Sequence, residues 1–96
     1  MKVSNMQSNK GNDVPNQFII NDVTTFLNGR HETGAMFQSY NSNIAFKTYD
    51  RKIFLDQKYW DYSVTTGKYR NQFLGEGIAD ARKKIESGQY KLVDLN

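Results

Sequence analysis

The chain has 96 residues, enough for one small domain with little stability to spare. It holds no cysteine and a single histidine, which excludes disulfides, thiolate metal sites and any chemistry needing two histidines. The formal net charge is +3 and is unevenly placed: residues 1–46 carry three basic and three acidic side chains, residues 47–96 ten and seven. That bias excludes an acidic mimic of nucleic acid and falls short of the dense Lys/Arg patch of a dedicated nucleic-acid binder.

Residues 1–16 are polar apart from Met1, Val3, Met6 and Val14 and end near Pro15, the only proline. This composition predicts a disordered or loosely ordered N-terminal arm over residues 1–16, followed by a single α+β domain over residues 17–96. The arm lacks the apolar stretch of a secretory signal. No apolar run approaches the roughly 20 residues that span a bilayer, so the reading is of a soluble, cytoplasmic protein without membrane contact.

Phe18-Ile19-Ile20 and Val23 to Leu27 are rich in β-branched and aromatic residues and read as strands. Asn21-Asp22 between them reads as a tight turn or a bulge. A short helix capped by Asp22 and stopped at Gly29 is the competing reading. Asn28-Gly29 is a strong turn signal, with a loop expected from Gly29 to Gly34. Ala35 to Tyr40, Ile44 to Tyr49 and Ile53 to Asp56 follow as strands, with turns at Asn41-Ser42-Asn43 and Asp50-Arg51-Lys52. Alternation places Ile44 and Phe46 on one face, matched by Ile53 and Leu55 on the next strand.

After Tyr62 the period changes. Tyr69 and Phe73 stand four apart, as do Arg70 and Leu74, which predicts a helix capped by Thr65 or Thr66. Ile78 to Ile85 predicts a second helix with Ile78, Ala81 and Ile85 inward and Gly88 just past its end. Tyr90 to Leu95 closes the chain as an edge strand or a packed tail. The expected fold class is therefore α+β: a small antiparallel meander of three to four strands followed by two short C-terminal helices. An exposed final strand is a route to a homodimer.

Thr66-Gly67-Lys68 fails as a phosphate loop, because Tyr62 stands where the earlier glycine belongs and Tyr69 follows the lysine. A helix cap is the better reading. Ser63 lacks an obvious base, His31-Glu32 reads as a solvated pair, and Asp50, Asp56 and Asp61 lack calcium-loop spacing. No cofactor or metal is called for. The remaining signal is a mixture of rings and cations from Tyr49 to Arg70. Lys52, Phe54, Lys58, Lys68 and Arg70 are the candidate partner-binding residues. If the face carrying Phe54 is open, rings flanked by cations suit single-stranded nucleic acid; if it is covered, the rings are core.

Ser39-Tyr40-x-x-x-Ile44-Ala45 and Tyr62-Ser63-x-Thr65-Thr66, with Trp60, Lys68-Tyr69 and Phe73-Leu74 around them, resemble short proteins from phages and mobile elements of Firmicutes that form a domain of unknown function. The resemblance runs from about Phe26 to Leu74 and carries no catalytic residues. What it implies is a small accessory protein of the host-cell cytoplasm. Its expected partner is a host protein, with a CRISPR or other defence nuclease as the sharpest case, and its expected mode is binding and inhibition without enzymatic activity. A single-stranded nucleic-acid module is the alternative.

Overall fold

The computed structural model describes residues 1–96. The elements are β1 (Lys2–Gln7), β2 (Asp13–Leu27), β3 (Arg30–Ser39), β4 (Ser42–Thr48), β5 (Ile53–Asp56), α1 (Val64–Leu74), α2 (Ile78–Glu86) and β6 (Tyr90–Val93). All six strands form one sheet in chain order. β1 to β5 pair antiparallel through short turns, and β6 pairs parallel to β5. A parallel return needs a long crossover, and α1 and α2 supply it. The fold is α+β with two helices, as expected, but the sheet has six strands and is mixed rather than a three- or four-stranded antiparallel meander. No helix is long and apolar enough to cross a membrane.

The N-terminal segment differs from the expected arm. Residues 2–7 form β1 on the outer side of β2, and residues 13–16 begin β2 itself. Met6 is the cause: it is buried among Phe37, Tyr69 and Phe73. Asn5 Nδ2 donates to the Val14 carbonyl at 3.0 Å, and Gln72 on α1 donates to the Gln7 carbonyl at 3.0 Å. One buried methionine in an otherwise exposed strand leaves no alternation to read.

The sheet has two covered faces. On the first, Phe37, Ala45 and Leu55 stand in register across β3, β4 and β5. Tyr69 and Phe73 of α1, Ala81 of α2 and Tyr90 pack on them, with the Phe37 and Phe73 rings stacked at 5.8 Å. On the second, Met36, Phe46 and Phe54 stand in register and meet Leu27, Val93 and Leu95. Each such side chain fully removed from water stabilises the fold by about 1.5–3 kcal/mol.

This arrangement corrects the expected facing. Ile44 is the extra residue where β4 slips against β3, between the pairs Phe37–Ala45 and Gln38–Asn43. A bulge turns two successive side chains the same way. Ile44 and Ala45 therefore both enter the first core, while Phe46 enters the second. Leu55 lies in the first core with Ile53 packed beside it, and the partner of Phe46 is Phe54.

No helix covers the second face. Leu27 on β2 and Val93 beyond β5 belong to one cluster, although β2 and β6 are four strands apart in the sheet. A flat sheet would hold them about 19 Å apart at ~4.8 Å per strand. The β2–β3 hairpin must therefore arch over this face, and two local features bend it. β2 bulges between Ile20 and Val23, with Asp22 at φ 59°. Opposite Val23, Gly34 lies so close to β4 that a Cβ there would fall on the Lys47 carbonyl oxygen and within 2.6 Å of Thr48 Cα. The expected bulge at Asn21-Asp22 is thus present, and Val23 to Leu27 is strand rather than helix. Asn28 and Gly29, at φ 50° and 86°, make the hairpin turn, and the expected loop from Gly29 to Gly34 is the start of β3. The next turn sits at Tyr40-Asn41, because Ser42 and Asn43 already belong to β4.

The helices dock through Tyr69 and Phe73 on α1, as the spacing predicts, and through Ala81 and Ile85 on α2, whereas Ile78, expected inward, is half-buried outside the core. The cap of α1 is Ser63 rather than Thr65 or Thr66: its hydroxyl accepts the Thr66 N–H at 3.1 Å. Thr66 is buried instead, its hydroxyl 2.9 Å from that of Ser39. Gln17 is buried across from Ser39 with both amide atoms lacking a protein partner, and nothing in the structure explains its choice.

Two measurements test the bend. Gly34→Ala forces β3 and β4 apart and is expected to lower unfolding free energy by at least about 2 kcal/mol, the upper range for overpacking; unchanged stability in a denaturant titration would refute the tight approach. The Tyr49 hydroxyl donates to the Asp22 carboxylate and accepts the Asp22 N–H at 3.2 Å, clasping the bulge. The hydrogen bond to Asp22 is the main cause holding its phenol above the usual tyrosine value of 10.0. Because the folded value is the raised one, this contribution to stability is present below pH ~10 and lost as pH rises through the folded value. An alkaline absorbance titration is expected to show one late-ionising tyrosine that disappears in Tyr49→Phe.

Candidate functional site

The junction between β5 and α1 is organised by four charged side chains, Asp56, Asp61, Arg70 and Arg82. Asp56 ends β5 and is buried. Its Oδ2 accepts the N–H groups of Lys58 and Tyr59 at 3.0 and 2.9 Å, which sets the turn. Its Oδ1 accepts the Leu95 N–H at 2.9 Å, which draws the C-terminal tail against the second core. Arg70, from the second turn of α1, reaches back under this junction. It donates to the Trp60 carbonyl at 2.7 Å, to Asp61 Oδ1 at 3.2 Å and to Asn71 Oδ1 at 2.9 Å, with its guanidinium 5.3 Å from the Trp60 ring centroid. Asp61 Oδ2 takes Arg82 of α2 at 3.0 Å. A buried guanidinium is tolerated only when its donors are met, and here they are.

Above Arg70 lies an open groove of about 600 Å³ between residues 61–64, α1 and the start of α2. Tyr62, Val64, Lys68 and Ile78 line it. Val64 is 91% exposed, and Tyr62 is exposed beside it with its ring edge-on to Tyr59 at 5.3 Å, so two large side chains stand on the rim. Val64 lies five residues before Tyr69, off the stripe that α1 turns to the core.

A second cavity, of about 220 Å³, opens where the arched hairpin meets the β5 and β6 strand starts. Leu27 and Phe54 form part of its wall, and Arg30, Lys52 and Lys91 border it. Glu32 is buried there, 3.0 Å from Lys52 Nζ and 3.8 Å from Arg30 Nε. Asp50 lies 3.6 Å from Lys52. The Thr48 hydroxyl, and then the Lys52 charge, hold its carboxyl below the usual range.

A family of unknown function, DUF8033, matches residues 1–91. The chain belongs to this family. The match takes in β1, the N-terminal half of β2 and α2, all of which lie outside the stretch from Phe26 to Leu74. No curated protein and no solved structure matches the chain.

In this DUF8033 chain the five candidate residues fall into three places. Lys68 and Arg70 line the groove, and Lys52 and Phe54 line the second cavity. Lys58 stands apart and exposed, its ammonium 5.3 Å from the Tyr59 ring. Two of them differ from the expected contact residues. Arg70 is 1% exposed and Phe54 4% exposed, so the first is a structural strut and the second is core. Val64, Arg30 and Lys91 carry no expectation from the sequence, and Ile78, expected in the core, lines the groove instead. Val64 carried a signal, as an apolar residue off its helix's inward stripe; Arg30 and Lys91 are 61 positions apart and meet only through the arch. Ser63 is occupied as a cap, and His31 sits on β3 against the Phe26 ring at 5.0 Å.

Arg70→Met is expected to lower stability by about 2–3 kcal/mol, because Asp61 and the Trp60 carbonyl lose their shared donor. Arg70→Lys is expected to recover less than half of that, since an ammonium cannot span three acceptors as a planar fork does. Equal stability of all three proteins in urea would count against the strut.

Proposed function

We propose that this DUF8033 protein is a non-enzymatic accessory factor that acts by binding another protein, with the groove above Arg70 as its contact surface. The observation that carries the reading is the rim: Tyr62 and Val64 stand exposed beside Lys68 over a rigid base. Exposed apolar and aromatic side chains edged by a cation are the composition of a docking patch. The base is fixed by Arg70 and Asp61, so little ordering cost remains to be met on binding. Arg70 and Asp61 of the groove are engaged in structural contacts, which also favours binding over chemistry. The phage and mobile-element resemblance points to a host protein as the target, with a defence nuclease as the sharpest case.

A nucleic-acid reading stays second. It draws on exposed Lys58 over Tyr59 and on the edge contact of Tyr59 with Tyr62 at 5.3 Å. The burial of Phe54 removes the ring that the reading first relied on.

Affinity capture from host lysate, with and without nuclease treatment, separates the two. Wild-type protein is expected to retain a partner that survives nuclease and is lost with Val64→Glu and with Lys68→Glu, both of which should fold normally. Retention by both variants would refute the groove. Loss on nuclease treatment, together with strand binding that weakens steeply with salt, would move the assignment to nucleic acid.

A further inference from the structure

We propose that the cavity under the β2–β3 arch is a binding site for a small organic monocarboxylate with an apolar body. It shares no residue with the groove. Three properties define the ligand. Its size comes first: about 220 Å³ is below the roughly 300–1,000 Å³ of pockets for drug-sized molecules, which suits one ring or a branched aliphatic chain. Its body is set by Leu27, Ile53 and Phe54, which give the cavity an apolar wall.

The charge sets its head group. Arg30, Lys52, Lys91 and the carboxylate of Glu32 line the cavity, and Asp50 pairs with Lys52 from outside that lining at 3.6 Å. Three cations against two carboxylates leave a single positive charge uncompensated, which matches a monoanion rather than a phosphate dianion. The spare donors are specific. Lys91 takes part in none of the ion pairs, and its ammonium lies 3.7 Å from where a Gly88 Cβ would stand. Arg30 approaches Glu32 through Nε, which leaves its terminal nitrogens for a carboxylate fork. Buried Glu32 holds Lys52 at the cavity before any ligand arrives, so that cation is preorganised.

Two sources share this chemistry: a free small acid, and the terminal carboxylate of a chain ending in an apolar residue. Titration of phenylacetate into the ¹⁵N-labelled full-length chain is expected to give saturable amide shifts centred on Asn28, Gln89 and Lys91. Phenylacetamide should bind far more weakly, and so should phenyl phosphate. Lys91→Gln removes an unpaired, exposed ammonium and should fold normally; it is expected to weaken phenylacetate about tenfold, the value of one charge-assisted hydrogen bond. A short peptide ending in phenylalanine, free or amidated, distinguishes the sources. Tighter binding of the free peptide than of phenylacetate, lost on amidation, assigns the chain terminus; weaker binding assigns the free acid. The proposal is overturned by equal binding of amide and acid, by unchanged affinity in Lys91→Gln, by shifts centred on Tyr62 and Val64, or by no saturable shift.

Discussion

The structure depends on how closely β3 approaches β4 at Gly34. No side chain fits between that glycine and the Lys47 carbonyl, so the two backbones touch where most sheets would place a pair of side chains. The Asn21-Asp22 bulge on β2 lengthens the opposing strand at the same level. A shortened inner side and a lengthened outer side make a bend, as at the corner of a barrel. From that bend follow the arch, the second core beneath it and the cavity at its open end. Two short helices can cover only one face of a six-stranded sheet. Folding the sheet over itself is how the other face leaves water.

The junction at Arg70 does the corresponding task for the helices. α1 and α2 meet the sheet through few large side chains, and α2 buries only Ala81 fully. Asp61 takes Arg70 from α1 with one oxygen and Arg82 from α2 with the other, so one carboxylate fixes the angle between them. Lys84 of α2 pairs with Glu76 at 2.8 Å, and the Tyr90 hydroxyl donates to the same carboxylate. The crossover is therefore held at both ends by charge as well as by packing. That stiffness is what leaves Tyr62 and Val64 presented rather than collapsed onto the groove floor.

Local signals in the sequence were readable where structure is local. The Asn28-Gly29 turn, the helical spacing of Tyr69 and Phe73, Gly88 at φ 82° past α2 and the strand from Ile53 to Asp56 all rest on neighbours within a few residues. The misreadings came where distant chain decides. β1 exists because Met6 joins a core with Phe37, Tyr69 and Phe73, 31 to 67 positions later. Ile44 and Phe46 part company because a bulge interrupts their alternation. Ser63 takes the cap because Thr66 is claimed by Ser39. Of the candidate contact residues, Lys68 could be named in advance because its exposure follows from helix periodicity. Arg70 and Phe54 could not be recognised as internal, since nothing in their types says that Trp60, Asp61, Val93 and Leu95 will enclose them.

The Asp56 carboxylate reaches forward 39 positions to the backbone of Leu95. During synthesis this has a consequence for order. β1 to β5 can pair as they emerge, each against the strand just made, but Asp56 then waits with an acceptor unfilled and Phe54 lies uncovered. Both conditions end only when the tail that carries Val93 and Leu95 has left the ribosome. The nascent chain thus passes through an interval in which the sheet exists and its second core is open. Polar replacement of Val93 and Leu95 would hold the molecule in that state. Quality control acting on exposed phenylalanine would then distinguish chains whose tail has docked from chains whose tail has not.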